Sequence, residues 1–523
     1  MRTGLRAAAT TAAALLVTTA LASGPARAAP ERAAALVRVS TGDPFATCTI
    51  GAGPGAVNFP GAEVEPDLTV DPRRPNRLVA AFQQDRWNDG GAHGITAAHS
   101  ADGGRHFTEV PWPVSRCAPG GLNYERASDP WVSIGPGGVV YGSALSFDEN
   151  TPRNTVAATV SYDGGHTWRH TTPLIDDTTI QFFNDKNSVT ADPFLPGTAY
   201  QVWDRIDGGP DGSLLLTAPT MMSVTHDFGR TWSTPRAIVN TGPFQLTIGN
   251  IIIGDQRRPG RLWDVYETTT FTDATANEVV SASFAAVRSD DFGRTWGQPV
   301  TIANDTSIVD VNPNTGETLR TGAGLPSVAV DPRTSELYVV YEGTDFTGGK
   351  LNQVQLVHST DAGRTWSRPV RVNRVPGVEA MTPTVAVNSD GDVAVSYYNL
   401  RTLRPGNTTT LPTSTWLTVS PRGGERFGRE RRIAPAFGFL QGPRANSPFV
   451  GDYQGLVAIG EDFQPLLVTV NDNQPGNRTD VFTGRFRGFD DDADRQAAPV
   501  SPQAPQQALQ VPARHVPPPR TRH

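Results

Sequence analysis

One eight-residue pattern recurs along this chain at nearly even spacing, and it limits the fold more than any other feature. Residues 161–168 read SYDGGHTW. Residues 225–232 (THDFGRTW), 289–296 (SDDFGRTW) and 359–366 (STDAGRTW) repeat them almost unchanged. Residues 100–107 (SADGGRHF) end in Phe instead of Trp, and 420–427 (SPRGGERF) carry Arg422 where the Asp belongs. The Asp positions, Asp102, Asp163, Asp227, Asp291 and Asp361 followed by Arg422, lie 61, 64, 64, 70 and 61 residues apart. Such a period means one supersecondary unit used again and again, each copy burying itself against its neighbours.

The pattern has the chemistry of a hairpin turn. The Asp carboxylate accepts backbone N–H groups of the turn, and the Gly two residues on takes a positive φ that a Cβ would resist. The terminal aromatic restarts the next strand and buries its ring between neighbouring sheets. A second element precedes each hairpin and reads as strand, Asp-Pro-type turn, strand. Examples are Leu68-Thr69-Val70-Asp71-Pro72 leading to Leu78-Val79-Ala80-Ala81-Phe82, and Val328-Ala329-Val330-Asp331-Pro332 leading to Leu337-Tyr338-Val339-Val340-Tyr341. Seven such units begin near Glu65, Ser128, Asn187, Asn250, Leu325, Thr382 and Pro448. Each holds about four short strands, the content of a β-propeller blade. Composition agrees. The 52 glycines and 44 prolines among 523 residues amount to about 18%, where about 12% is usual. No useful 3.6-residue period runs through the chain, so a helical bundle and a coiled coil drop out.

The S-x-D-x-G-x-x-W turn is the Asp-box, or BNR repeat. On its five good copies the chain resembles the sialidases and the wider group of secreted sialidase-like propellers over residues 65–486. The resemblance is specific for fold and much less so for activity, because Asp-box propellers include other glycosidases, sorting receptors and proteins without catalysis. It implies an all-β propeller of four-stranded blades. Sialidases of this type are six-bladed. The seven units here favour seven blades, with six and one inserted unit as the alternative. Residues 451–486 supply about three strands of the last blade, and 36–40 its outer strand, which closes the ring. The Asp-box carboxylates Asp102, Asp163, Asp227, Asp291 and Asp361 are expected to be structural.

The first residues read as an export signal over 1–28. Arg2 and Arg6 precede the apolar stretch 7–21, and Ala26-Arg27-Ala28 fits a small-x-small cleavage site. The expected domain plan is this signal, a propeller over 35–488, and a disordered tail rich in Pro and Gln over 490–523. Loss of the signal's three arginines takes the formal charge from −7 to −10, which offers no basic face to nucleic acid. No second apolar run is long enough for a membrane anchor. Cys48 and Cys117, the only cysteines, are expected to be bonded in an exported chain. No zinc, nucleotide or serine-hydrolase motif is present. No cofactor or metal is expected, although an Asp-rich loop leaves room for structural Ca²⁺ without a closed ligand pattern. The expected partner is a glycan or glycoconjugate, and the expected state a monomer.

The sialidase mechanism implied by the resemblance needs arginines for the substrate carboxylate, a Tyr nucleophile activated by a Glu, and an Asp acid/base. Arg86 and Asp89, in the loop after the first unit's second strand, are similar in place to a sialidase Arg and catalytic Asp. Glu379 and Arg401 in the sixth unit correspond to a sialidase Glu and Arg, and Arg444 offers a further late Arg. Tyr453, in Gly451-Asp452-Tyr453-Gln454, looks like the nucleophile segment. The F/Y-R-I-P signature is missing: Val64-Glu65-Pro66 takes its place, with Val64 where the Arg should be. Arg126, from the next unit, is expected to compensate. Lys186, one of only two lysines beside 43 arginines, is read as solvated, with a place lining the channel as the alternative. The expectation is that Arg86, Asp89, Arg126, Glu379, Arg401, Arg444 and Tyr453 converge at the axial mouth, with Tyr453 hydrogen-bonded to Glu379.

Overall fold

Short apolar strands broken by Gly and Pro turns can pair only with nearby strands, and the chain does this throughout. The protein, a computed structural model, is described over residues 36–421 and 423–488. The expected signal, the tail from 490 and Arg422 lie outside the described residues. Among those residues the single helix is the 3₁₀ turn Phe439–Gln441, and no helix is long and apolar enough to cross a membrane.

The strands form successive four-stranded antiparallel units. Two units are joined into an eight-stranded sheet through the Ala92–Ala127 pair. Two more share a nine-stranded sheet bridged by Thr217–Ala218. The fifth and sixth units have their own sheets, and the last sheet pairs Val37–Arg38 with Thr479–Thr483. The seven first strands are Val64–Val70, Arg126–Ile134, Phe182–Ala191, Gln245–Gly254, Ser327–Val330, Ala380–Val387 and Gly455–Ile459. Each lies beside the next in chain order, and the seventh lies beside the first.

The repeated turns join the third and fourth strands of their units. In residues 161–168 the Asp163 carboxylate accepts the Thr167 backbone N–H at 2.8 Å and the Thr167 hydroxyl at 2.6 Å, while Ser161 Oγ accepts the Gly165 N–H at 2.8 Å. Burial pushes the Asp163 carboxyl up, but these hydrogen bonds more than offset it and hold it at about 2. Gly165 sits at φ 100°, and a Cβ there would come within 2.9 Å of His99 in the preceding unit. The terminal aromatics follow the same logic. Trp168 packs against the first unit's Val79, Ala81 and Ile95, with Trp112 at 4.7 Å between ring centroids. Trp232 packs against the cluster that holds Tyr141 and Val160, Trp296 against that of Tyr200 and Met222, and Phe427 against that of Tyr338. Phe107 of the first unit packs into the cluster that holds Leu466 and Val468 of the seventh. Each aromatic thus staples its unit to the one before.

The segment between Val37–Arg38 and the first unit packs against the first and second units. Cys48 is bonded to Cys117, with 5.6 Å between Cα atoms. The Gly51 carbonyl accepts from the buried Arg126, and the Gly61 N–H donates to Asp85.

Candidate functional site

Five of the seven first strands carry the same irregularity. In each, two residues oppose one on the second strand, which is a β-bulge. The doubled pairs are Glu65-Pro66, Asp129-Pro130, Lys186-Asn187, Gly249-Asn250 and Thr382-Pro383. The first residue of each pair has positive φ: 53° at Glu65, 51° at Asp129, 44° at Lys186, 70° at Gly249 and 52° at Thr382. Only glycine takes that region freely, so four non-glycine residues there are strained. Proline is tolerated at a bulge because no ladder N–H is needed.

The bulges bring side chains from distant units together. The Lys186 ammonium lies 2.7 Å from Asp452 Oδ2, 3.6 Å from Glu65 Oε1 and 3.9 Å from Asp129 Oδ1. Arg320 grips both oxygens of Asp452, Nε donating to Oδ1 at 3.0 Å and Nη2 to Oδ2 at 2.6 Å. Arg320 reaches this point because the long segment between the fourth and fifth units pairs with Phe449. Gln83 donates to Glu65 and accepts from Arg86. The Tyr453 ring lies 5.9 Å from Lys186 Nζ and 5.4 Å from the Trp131 ring. Lys186 is therefore not a solvated lysine but the centre of a buried ionic cluster. The solvated reading of this residue is thereby corrected.

The cluster splits its acids. Burial pushes the Glu65 carboxyl up, Lys186 pulls it back, and Asp129 and Asp452 raise it again, leaving it at about 8. Asp185 is pushed to about 6 by burial and by Asp129. Burial opposes charge on Asp129 and Asp452 as well, but Lys186 at the first and Arg320 with Lys186 at the second hold both below the ordinary range. Burial also opposes the Lys186 charge, and Asp129, Asp452 and Glu65 more than restore it. The Tyr453 hydroxyl is held well above 10 by burial, then by Glu65 and Asp129.

Of the expected site residues, only Tyr453 and Arg86 belong to this cluster. The expected Tyr453–Glu379 hydrogen bond is not formed: the Tyr453 hydroxyl donates to the Pro130 carbonyl at 3.2 Å. Glu379 accepts the Asn352 N–H at 2.8 Å and sits in a second buried group with Asp310 and Glu342, where burial and Asp310 push it well up. Arg126 is fully buried. It donates to Asp89 Oδ1 and to the Gly90 carbonyl, each at 2.7 Å, and it pairs with Glu149 at 3.0 Å. Arg401 donates to Glu430 and Asn399 and stacks on Trp416 at 3.8 Å. Arg444 donates to Glu317 at 2.9 Å and is partly exposed. These arginines are engaged in separate ion pairs and do not form one carboxylate clamp. Glu65, Asp129, Arg320 and Asp452 were missed. For Glu65 and Asp129 the one legible signal is that the unit starts near Glu65, Ser128, Asn187, Asn250 and Thr382 fall on or beside the bulges; Arg320 and Asp452 carry none. Among the described residues, no group of three or more His, Cys, Asp or Glu could hold a metal ion.

No family model matches the sequence, and no curated protein matches it. Solved structures do resemble it. A protein of unknown function from Dyadobacter fermentans is 13% identical, covering 83% of this chain and 98% of that one at a TM-score of 0.43. A Hadza microbial sialidase is 14% identical, covering 80% and 74% at 0.42. An α-L-arabinofuranosidase of Fusarium graminearum is 11% identical, covering 86% and 97% at 0.43. At these identities and scores nothing about substrate or individual residues transfers from them.

Proposed function

We propose that the protein is an exported glycoside hydrolase of the sialidase-like propeller kind, taking a terminal acidic sugar at the Lys186–Asp452 cluster. Seven successive units, first strands adjacent in a cycle, and the Val37–Arg38 pairing support a seven-bladed ring closed by its N-terminal strand. The disulfide supports export. The observation that carries the catalytic reading is Tyr453 set against buried acids, Glu65 foremost, with Lys186 and Arg320 beside them.

Tyr453 is the nucleophile in this proposal, and Glu65 takes over from Glu379 as its base. A phenol held well above 10 gives almost no free phenolate at neutral pH, so its proton must pass to Glu65 as the bond to the anomeric carbon forms. Only ionised Glu65 can accept that proton. With Glu65 titrating near 8, turnover rises with pH through about 8. Arg320 and Lys186 supply the cations for a sugar carboxylate, which must compete with Asp452 for them. Asp89 is held by Arg126 outside the cluster, so it has no part in this step, and the leaving oxygen takes its proton from water.

Binding of a glycan without turnover is the second reading. It is favoured by the Tyr453 hydroxyl's bond to Pro130 and by the pairing of Arg126, Arg401 and Arg444 with carboxylates of their own. A fluorogenic sialoside and a set of aryl glycosides decide between them. Hydrolysis lowered at least about 100-fold by Tyr453→Phe and by Glu65→Gln, with glycan binding retained, supports the hydrolase. Glycan binding with no turnover of any substrate assigns the binding role.

A further inference from the structure

We infer that Lys186 is the positioning residue of the axial site: carboxylates from three units close on its ammonium, and it decides which of them keeps a proton. The inference deepens the axial-site reading above and rests on it.

The geometry is that of a hub. Glu65 comes from the first unit, Asp129 from the second, and Asp452 from the segment leading into the seventh, all within 3.9 Å of Nζ. Asp185 flanks Lys186 on its own strand, and Asp204 faces it from the second strand of the same unit. The charged groups behind these are Arg320, bound to Asp452, and Arg86, which faces Glu65. The backbone accepts φ 44° at Lys186 to aim this side chain inward. In a chain that uses arginine 43 times and lysine twice, the choice has a physical reason. An ammonium is compact and directs three donors to different sides, whereas a guanidinium is a flat fork suited to one bidentate partner. Arg320 shows the second use, gripping Asp452 alone through two bonds.

Without the ammonium, Glu65, Asp129, Asp185, Asp204 and Asp452 would face one another with Arg320 and Arg86 only at the margins. The group must then take up protons: Asp204 is already pushed well up by burial and then by Asp185, and Glu65, within 3.6 Å of the lost ammonium, must hold its proton to higher pH. Loss of an opposite charge at this range moves a carboxyl by about 1–3 pH units.

The test follows the Glu65 carboxyl carbon by NMR in protein carrying ¹³C-labelled glutamate, with its signal identified by its loss in Glu65→Gln. The wild-type midpoint is expected near 8. Lys186→Met is expected to move it up by about 1–3 units. Lys186→Arg keeps a charge and is expected to lie between the two. An unmoved midpoint in Lys186→Met overturns the inference, as does a Lys186→Arg midpoint at or above that of Lys186→Met. Where hydrolysis is measured, its alkaline rise should shift with the NMR midpoint. A shifted midpoint in a protein that turns over no substrate sinks the hydrolase and leaves the hub standing. Turnover with an unmoved midpoint does the reverse.

Discussion

Asp264 is fully buried in the fourth unit, and neither of its carboxylate oxygens has a hydrogen-bond partner. Burial alone pushes it well above the ordinary range. Asp67 is pushed to about 7 by burial, although it accepts the Val132 N–H at 2.8 Å. Both groups keep a proton in the folded chain at pH values where the unfolded chain has lost it, near 3.9. Folded protein therefore binds more protons, and stability falls as pH rises. The contribution of Asp67 should be fully present below about pH 4 and lost by about pH 7. Chemical denaturation across that window should show the fall. Asp264→Asn should flatten it, leaving stability at pH 4 nearly unchanged and raising it at pH 8. A profile unaffected by Asp264→Asn would mean that the carboxyl has a partner when folded. Glu65 adds to the same trend up to about 8, so burial of the acids in the Lys186–Asp452 cluster is a stability cost that grows with pH.

The hairpin turn is the element the chain repeats, and its parts act across unit boundaries. Trp168 is partly buried and packs on the unit before its own, so its loss should loosen the joint between the first two units. Trp168→Ala should destabilise by about 2–4 kcal/mol, less than a fully buried ring would cost. Calorimetry measures it. A cluster-dependent activity, referred to the folded fraction, should be unchanged, because the turn touches none of the side chains of the Lys186–Asp452 cluster. Asp163→Ala should cost less, since it removes hydrogen bonds from an exposed turn. The bulge is the second repeated element. Replacing Thr382, a β-branched residue at φ 52°, by Gly should relieve strain and stabilise the chain. The Thr382 hydroxyl donates to the Thr321 carbonyl beside Arg320, so that gain should come with a looser Arg320 and weaker ligand binding.

Across the molecule, the N-terminal segment links the ends. Val37–Arg38 pairs with the last unit, Ser40 donates to Asp480, and Cys48 is tied to Cys117 between the first and second units. The disulfide closes a loop of 69 residues, worth up to about 4 kcal/mol in the chain-entropy model. Cys48→Ser with Cys117→Ser should lower the unfolding free energy by up to that amount. It should also make residues 40–62 the first site of proteolytic cleavage. Unchanged protease resistance there would show that strand pairing alone holds the segment.

The turn motif, its period and the strand-pair units were all legible in the residues, because each depends on short-range chemistry: an Asp that caps its own turn, a Gly at positive φ, an alternation that needs only the next strand. The cysteine pair was legible for a simpler reason, there being no other partner. The site was not. Arg86 and Tyr453 were found, but Glu379, Arg126, Arg401 and Arg444 are taken by partners outside the cluster, Asn352, Asp89, Glu430 and Glu317, and no pattern in the residues announces those pairings. What assembled the cluster was the return of the seventh unit to the first, which sets Asp452 beside Glu65 across 387 residues. The detour that carries Arg320 to Phe449 completed it. A strand start such as Glu65-Pro66 reveals a bulge only when its neighbour strand is known, and a lone lysine reveals a hub only when three acids from separate units are folded around it.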